Sequence, residues 1–409
     1  MNSVFTITQR SNDRQVIPRR LVIVILAVFV GYIASGCADI FDIYFPACDL
    51  YSYNKYISIS LAGVLVLQLF MRQKTEFVMP AGKWIIVFFA YVLLHSFYPG
   101  GDHWFTVAFP ILKVYIFFLL IINLFRTKEE YRILGKSFIL IVIATLTVYF
   151  VELKEITPVI YQRFVAESAG FYINANTVSY LAVLAFIIFS SLYVKQSRRR
   201  ILLFSCLLAS TSFIVISNGS RAAFLLLIIS AIIFMLKFKK AKYLIPTFVL
   251  LLTIYYIISP YLGNINLFIS RIEGLKFFTE EQRWNLTTIA WSKFLDAPLW
   301  GEGYDSLFQA HTVSINHLWY LNILVAYGAI GLFLLLISFF KIISIREMLS
   351  SKSSIILSLF IVSYLFLAPP VMFISIALAF LYYYGKQKVN ASDGPGEKRY
   401  VPNFIKKSG

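Results

Sequence analysis

Long uncharged runs narrow what this chain can fold into more than any other feature. Leu21 to Ala34 has no charged residue, nor has Ile201 to Ser220, and Ala222 to Leu236 and Leu244 to Ser259 are uncharged as well. About 20 apolar residues in helical form cross the roughly 30 Å hydrocarbon layer of a bilayer, so these runs span it, or do so once their polar flanks are counted. The runs are continuous rather than alternating, which excludes a β-barrel, whose strands face lipid and lumen in turn. Hydrophobic residues make up 59% of the 409 positions, against about 45–50% in soluble domains. The expected fold is therefore all-α: a polytopic membrane protein with about 12 transmembrane helices and one larger extracytoplasmic loop that carries an amphipathic helix.

The apolar pattern predicts spans over 18–35, 56–71, 81–98, 105–125, 135–152, 172–194, 201–217, 222–236, 243–260, 317–340, 354–368 and 370–385. Pro369 and Pro370 leave almost no connector between the last two, which also reads as a re-entrant pair. With the N-terminus in the cytoplasm, most basic connectors fall inside: Arg72 and Lys74, Arg126 to Arg132, Lys195 to Arg200, Lys237 to Lys242, and Lys341 with Arg346. That is the positive-inside pattern, and it explains the net charge of +17 without any nucleic acid. Lys55, Arg163 and Arg221 are exceptions on the outer side, and Lys113 sits within the fourth span. The resulting organisation is a cytoplasmic tail (1–17), nine spans (18–260), an outer catalytic loop (261–316), three spans (317–385) and a second cytoplasmic tail (386–409). The basic lead before residue 21 is followed by no convincing small-residue cleavage site, so the first apolar block reads as a retained span. Cys37 and Cys48 share one outer loop and can pair in an oxidising compartment or stay as two thiols, while Cys206 reads as lipid-facing or as packing filler.

The outer loop holds Glu273, Glu280, Glu281, Asp296, Glu302 and Asp305 beside Arg271, Lys276, Arg283 and Lys293. Within it, residues 279–295 read as a helix whose apolar stripe carries Trp284, Trp291 and Leu295, with Phe294 at one edge, and its tryptophans suit a membrane interface. Pro298 should stop that helix near Leu295 or Asp296. Pro298, Gly301 and Gly303 should then turn the chain back toward the head of the next span.

Several outer-side polar residues resist a purely structural reading. Arg221 closes the short link Asn218-Gly-Ser-Arg and has no acidic neighbour in sequence; it either snorkels to head groups or contacts an anion at the mouth of a cavity. Arg283 follows Glu280 and Glu281 and can be held by a solvated ion pair or serve a ligand. His317 opens the tenth span where the large loop must end. Asn174 and Asn176 begin the sixth span, one as a helix cap or both as a polar wall. His311 and His317 are six apart, with no close cluster of further ligands, so no metal is expected.

In order, four pieces resemble the bacterial O-antigen ligase and polysaccharide polymerase superfamily: Gly170-Phe-Tyr-Ile-Asn-Ala-Asn176; Asn218-Gly-Ser-Arg-Ala-Ala-Phe; Arg283-Trp284 followed by Ala297-Pro-Leu-Trp-Gly-Glu-Gly-Tyr304; and His317-Leu-Trp-Tyr-Leu followed by Tyr327-Gly-Ala-Ile-Gly331. Leu318 stands where the family commonly has Asn. The resemblance implies an integral membrane glycosyltransferase of the bacterial inner membrane, with no cofactor and no metal. Its donor is an undecaprenyl-diphosphate-linked glycan and its acceptor a glycolipid, within membrane lipids and with a flippase or chain-length regulator as a possible partner. A polymerase is preferred, because the outer loop is compact; a ligase acting on lipid A-core and a transporter of the lipid-linked unit are the alternatives. Breaking a sugar–diphosphate bond builds negative charge on the leaving group, which Arg221 and Arg283 are suited to stabilise, with Arg271 in reserve. His317 is the most economical base for the attacking hydroxyl, with Glu302 and Asp305 as competitors.

Overall fold

The structure is a computed structural model, and it describes residues 19–35, 78–97, 104–152, 167–168, 171–172, 175–193, 198–217, 220–237, 282–303, 319–365 and 372–392. In chain order these form α1 (Arg19–Ser35), α2 (Gly82–Ser96), α3 (Trp104–Leu124), α4 (Lys128–Glu152), a two-residue hairpin of β1 (Glu167–Ser168) and β2 (Phe171–Tyr172), then α5 (Ala175–Tyr193), α6 (Arg198–Ser217), α7 (Arg221–Lys237), α8 (Gln282–Asp296), α9 (Trp319–Ile342), α10 (Ile345–Leu349), α11 (Lys352–Leu365) and α12 (Met372–Ser392). The expected spans 56–71 and 243–260 lie outside the described residues, as do Cys37 and Cys48. The other ten spans each meet a helix. The boundaries move: α4 starts at Lys128, α12 runs past 385 into the expected tail, and the hairpin takes up the start of the 172–194 span.

A helix that is apolar all round belongs in the middle of a bundle, and α5 obeys this rule. Almost every residue from Val178 to Ile188 is buried. Around it pack α4, α6, α7, α11 and α12, while α3 lies against α12 and α1 against α4. Fully buried rings fill the seams, with Phe186 meeting Phe204 and Phe234, and Tyr180 meeting Phe360. Some hydroxyls on the helices turn back on their own backbone, as Thr147 does to the Ile143 carbonyl and Ser338 to that of Leu334.

A second, smaller core sits to one side. There α9 packs on α2 and α3 through Phe88, Val92, Ala108, Ile111, Ile323 and Ala326. A third cluster joins Ala290 of α8 to Leu321, Leu324 and Val325 of α9. Among the described residues, one helix, Tyr320–Ile342, is long and apolar enough to cross a membrane, and seven more are apolar over shorter lengths.

Candidate active site

The amphipathic helix expected over 279–295 is present as α8 (Gln282–Asp296), and it stops two residues before Pro298. Ala290, fully buried, and Phe294 face α9, whereas Trp291 and Leu295 are exposed. A small residue lets two helices approach closely, so the contact seam follows Ala290. The bulky stripe is left on the outside, where an interfacial tryptophan belongs.

After α8, segment 297–303 lies beside the middle of α9. Gly328 breaks α9 with φ 63° and ψ −169°, roughly 13 Å along from Trp319 at 1.5 Å per residue. A break strands donors and acceptors of the helical ladder, and segment 297–303 takes them up. Ala329 N–H donates to the Pro298 carbonyl at 2.8 Å, Ile330 N–H to the Leu299 carbonyl at 3.3 Å, and Glu302 N–H to the Val325 carbonyl at 2.8 Å. Non-helical backbone survives inside an apolar layer only when protein groups satisfy it in this way.

The glycines of the two motifs are what allow this approach. A Cβ on Gly328 would lie 2.2 Å from the Leu299 carbonyl oxygen, and one on Gly301 (φ 81°) would lie 2.6 Å from the backbone nitrogens of Tyr327 and Gly328. Two stretches that are remote in sequence, 297–303 and 327–331, are thus halves of one interlock. The span expected at 317–340 is correspondingly two helical pieces rather than one. The glycine signal was present in the sequence, since a Gly within a span often marks a kink. Its partner was not legible.

Glu302 is held at this interlock. Its carboxylate pairs with Lys293 of α8 at 3.3 Å, and Lys293 also reaches Asp296 at 3.9 Å. Glu302 therefore ties the loop to α8. Arg283 is the second residue of α8, Arg221 the first residue of α7 and Asn176 the second of α5. Arg271, Asn174, Asp305 and His317 lie outside the described residues. The main packing partners of α7 are α5, α6 and α11, whereas α8 packs on α9. Ser220, buried, precedes Arg221 and accepts the Phe224 N–H at its carbonyl (3.0 Å), so α7 is already wound where Arg221 begins it. Among the described residues no group of His, Cys, Asp and Glu is arranged to hold a metal ion.

A family model described as O-Antigen ligase matches residues 204–336, about a third of the chain. No curated protein matches the sequence. The matched stretch takes in most of α6, then α7, α8, both halves of the interlock and the positions of Arg221, Arg283 and His317. It supports an enzyme of the O-antigen ligase or polymerase type, a membrane-protein class with lipid-linked glycan substrates, and it does not divide ligase from polymerase. Over residues 204–336 the chain is thus similar to the family described as O-Antigen ligase.

Proposed function

We propose that this protein is a polysaccharide polymerase, for O-antigen or exopolysaccharide, of the bacterial cytoplasmic membrane. It transfers a glycan from undecaprenyl diphosphate to a lipid-linked repeat unit at the outer face, with both termini in the cytoplasm. The observation that carries the reading is the position of Arg221 within the superfamily domain. It opens α7 with no acidic residue in the first turn, and the sequence holds no Asp or Glu between Glu167 and Glu273. A cation at a helix N-terminus opposes the helix dipole, at a cost of about 0.3–1 kcal/mol. Arg221 therefore gives α7 no electrostatic benefit. With a diphosphate present the sign reverses, because the guanidinium and the free first-turn N–H groups then act on the same anion.

The exterior supports a membrane setting. Leu94, Leu140, Leu203, Leu225 and Phe333, on five different helices, are each more than half exposed. A water-soluble monomer rarely tolerates an apolar surface that extensive.

In the proposed step the acceptor hydroxyl oxygen bonds to the anomeric carbon of the donor glycan as the bond to the diphosphate oxygen breaks. The hydroxyl proton passes to His317, and undecaprenyl diphosphate leaves with the bonding electrons, its charge met by Arg221 and Arg283. Arg271, Asn174, Asn176 and Asp305 are assigned to substrate binding; Glu302 is assigned there through its hold on the loop. One displacement inverts the anomeric centre.

Arg221→Ala and Arg283→Ala should each lower transfer by about 100-fold or more while the protein still inserts. The check is incorporation of purified lipid-linked repeat units by proteoliposomes, and full activity in both variants overturns the clamp. The description of the matched family favours one second reading, a ligase that delivers glycan to lipid A-core. A deletion strain separates the two: single repeats on the acceptor indicate a lost polymerase, and carrier-linked polymer that never reaches lipid A-core indicates a lost ligase.

A further inference from the structure

Beside the break in α9, a residue from a distant part of the sequence hydrogen-bonds to the backbone. The Tyr91 hydroxyl of α2 donates to the Tyr327 carbonyl at 2.9 Å, with the Trp300 carbonyl at 3.3 Å sharing the same proton. Tyr327 lies on the α9 side of the interlock and Trp300 on the loop side, so one hydroxyl touches both halves. The Tyr91 ring stacks on Trp300 with centroids 6.1 Å apart at 28°. Its edge also lies where a Cβ on Gly331 would come within 3.4 Å. One turn further along α2, the buried His95 sets its ring edge-on to Tyr327 at 5.6 Å and 86°. Phe88 meets Tyr327 from the other side at 6.4 Å. Residues 88, 91 and 95 share one helical face, and that face is built around the break.

From this arrangement we infer that Tyr91 is a positioning residue: its hydroxyl latches the 297–303 segment into α9 and so fixes Glu302, which that segment carries. The inference rests on the proposed transfer reaction for its consequence and on the interlock for its cause. Tyr91 touches neither donor nor acceptor. It acts by holding the loop, and small displacements of a reacting group are costly in rate.

The test compares Tyr91→Phe with Tyr115→Phe in full-length protein in nanodiscs. Tyr115 donates an equivalent bond to the Pro80 carbonyl at 2.6 Å, remote from the interlock. Two quantities are read: steady-state transfer with purified lipid-linked repeat units, and hydrogen exchange at the amides of Glu302, Ala329 and Ile330. The expected result for Tyr91→Phe is a fall in kcat of about tenfold, a donor KM within about twofold of the parent, and faster exchange at those three amides. Tyr115→Phe should leave kcat and those amides unchanged. Unaltered exchange in Tyr91→Phe overturns the latch, and faster exchange with unaltered kcat overturns its positioning role. An equal loss of kcat in Tyr115→Phe also overturns it, because the effect is then one of general packing. If the parent protein transfers no glycan, the proposed reaction fails separately, and the exchange measurement still decides whether Tyr91 holds the loop.

Discussion

At Gly328 the backbone occupies φ 63° and ψ −169°, a region open to glycine and almost closed to every residue with a Cβ. A methyl group there also meets the Leu299 carbonyl oxygen at 2.2 Å. Gly328→Ala should therefore cost at least about 1–3 kcal/mol in backbone strain alone, and the inserted segment should be expelled. The expected outcome is a lower melting temperature in detergent micelles together with loss of transfer. Gly82→Ala is the control, because its new Cβ meets only the flexible side chain of Met79, at 3.0 Å. Equal melting of the two variants would show that the break is not held as described. Residue types already pointed to this site, since Tyr327-Gly-Ala-Ile-Gly331 was singled out from sequence. What they could not supply was the partner, because no periodicity links 297–303 to 325–330.

Among the helices, the ends on the expected cytoplasmic side are secured by buried carboxylates rather than by surface pairs. Ser344 and Glu347 form a capping box at the start of α10, with the Glu347 carboxylate accepting the Ser344 N–H at 2.8 Å. Glu347 also pairs with Lys386 of α12 at 3.1 Å, and of the two side chains Lys386 is 47% exposed and Glu347 9%. Thr127 and Glu130 repeat the pattern at α4, where the carboxylate accepts N–H groups from Arg126 and Thr127 at 2.7 and 2.9 Å. Removing Glu347 strands buried donors as well as the cap, so Glu347→Ala should destabilise by about 1–3 kcal/mol. Lys386→Ala removes an exposed partner and should cost less than about 1 kcal/mol. Thermal unfolding in one detergent compares them, and a larger loss for Lys386→Ala sinks this account. Both boxes match a readable signature, Ser or Thr followed three residues later by Glu. The orientation of α8 was less readable, because its bulky stripe and its small contact residue Ala290 face different ways and only packing on α9 chooses between them.

For the whole molecule, the expected membrane setting gives a direct test at Cys206. This thiol is exposed on α6, eight residues past Arg198 and so roughly 12 Å along the helix. In a protein replaced to Ser at Cys37 and Cys48, a membrane-impermeant maleimide should leave Cys206 unlabelled in intact vesicles of either orientation and label it once the chain is denatured. Prompt labelling in vesicles would place α6 in water. The helical class, the positions of ten helices and the likeness to the O-antigen ligase family over 204–336 were legible in the chain, because uncharged length, basic connectors and short motifs act locally and leave their mark residue by residue. The tertiary structure alone decided that α5 is the central helix, that α9 is broken and plugged by its preceding loop, and that Tyr91 meets that break. Those outcomes depend on which carbonyl is left without a donor when helices pack. Such a vacancy is filled by whatever side chain the fold brings within 3 Å or so, however far away it stands in sequence.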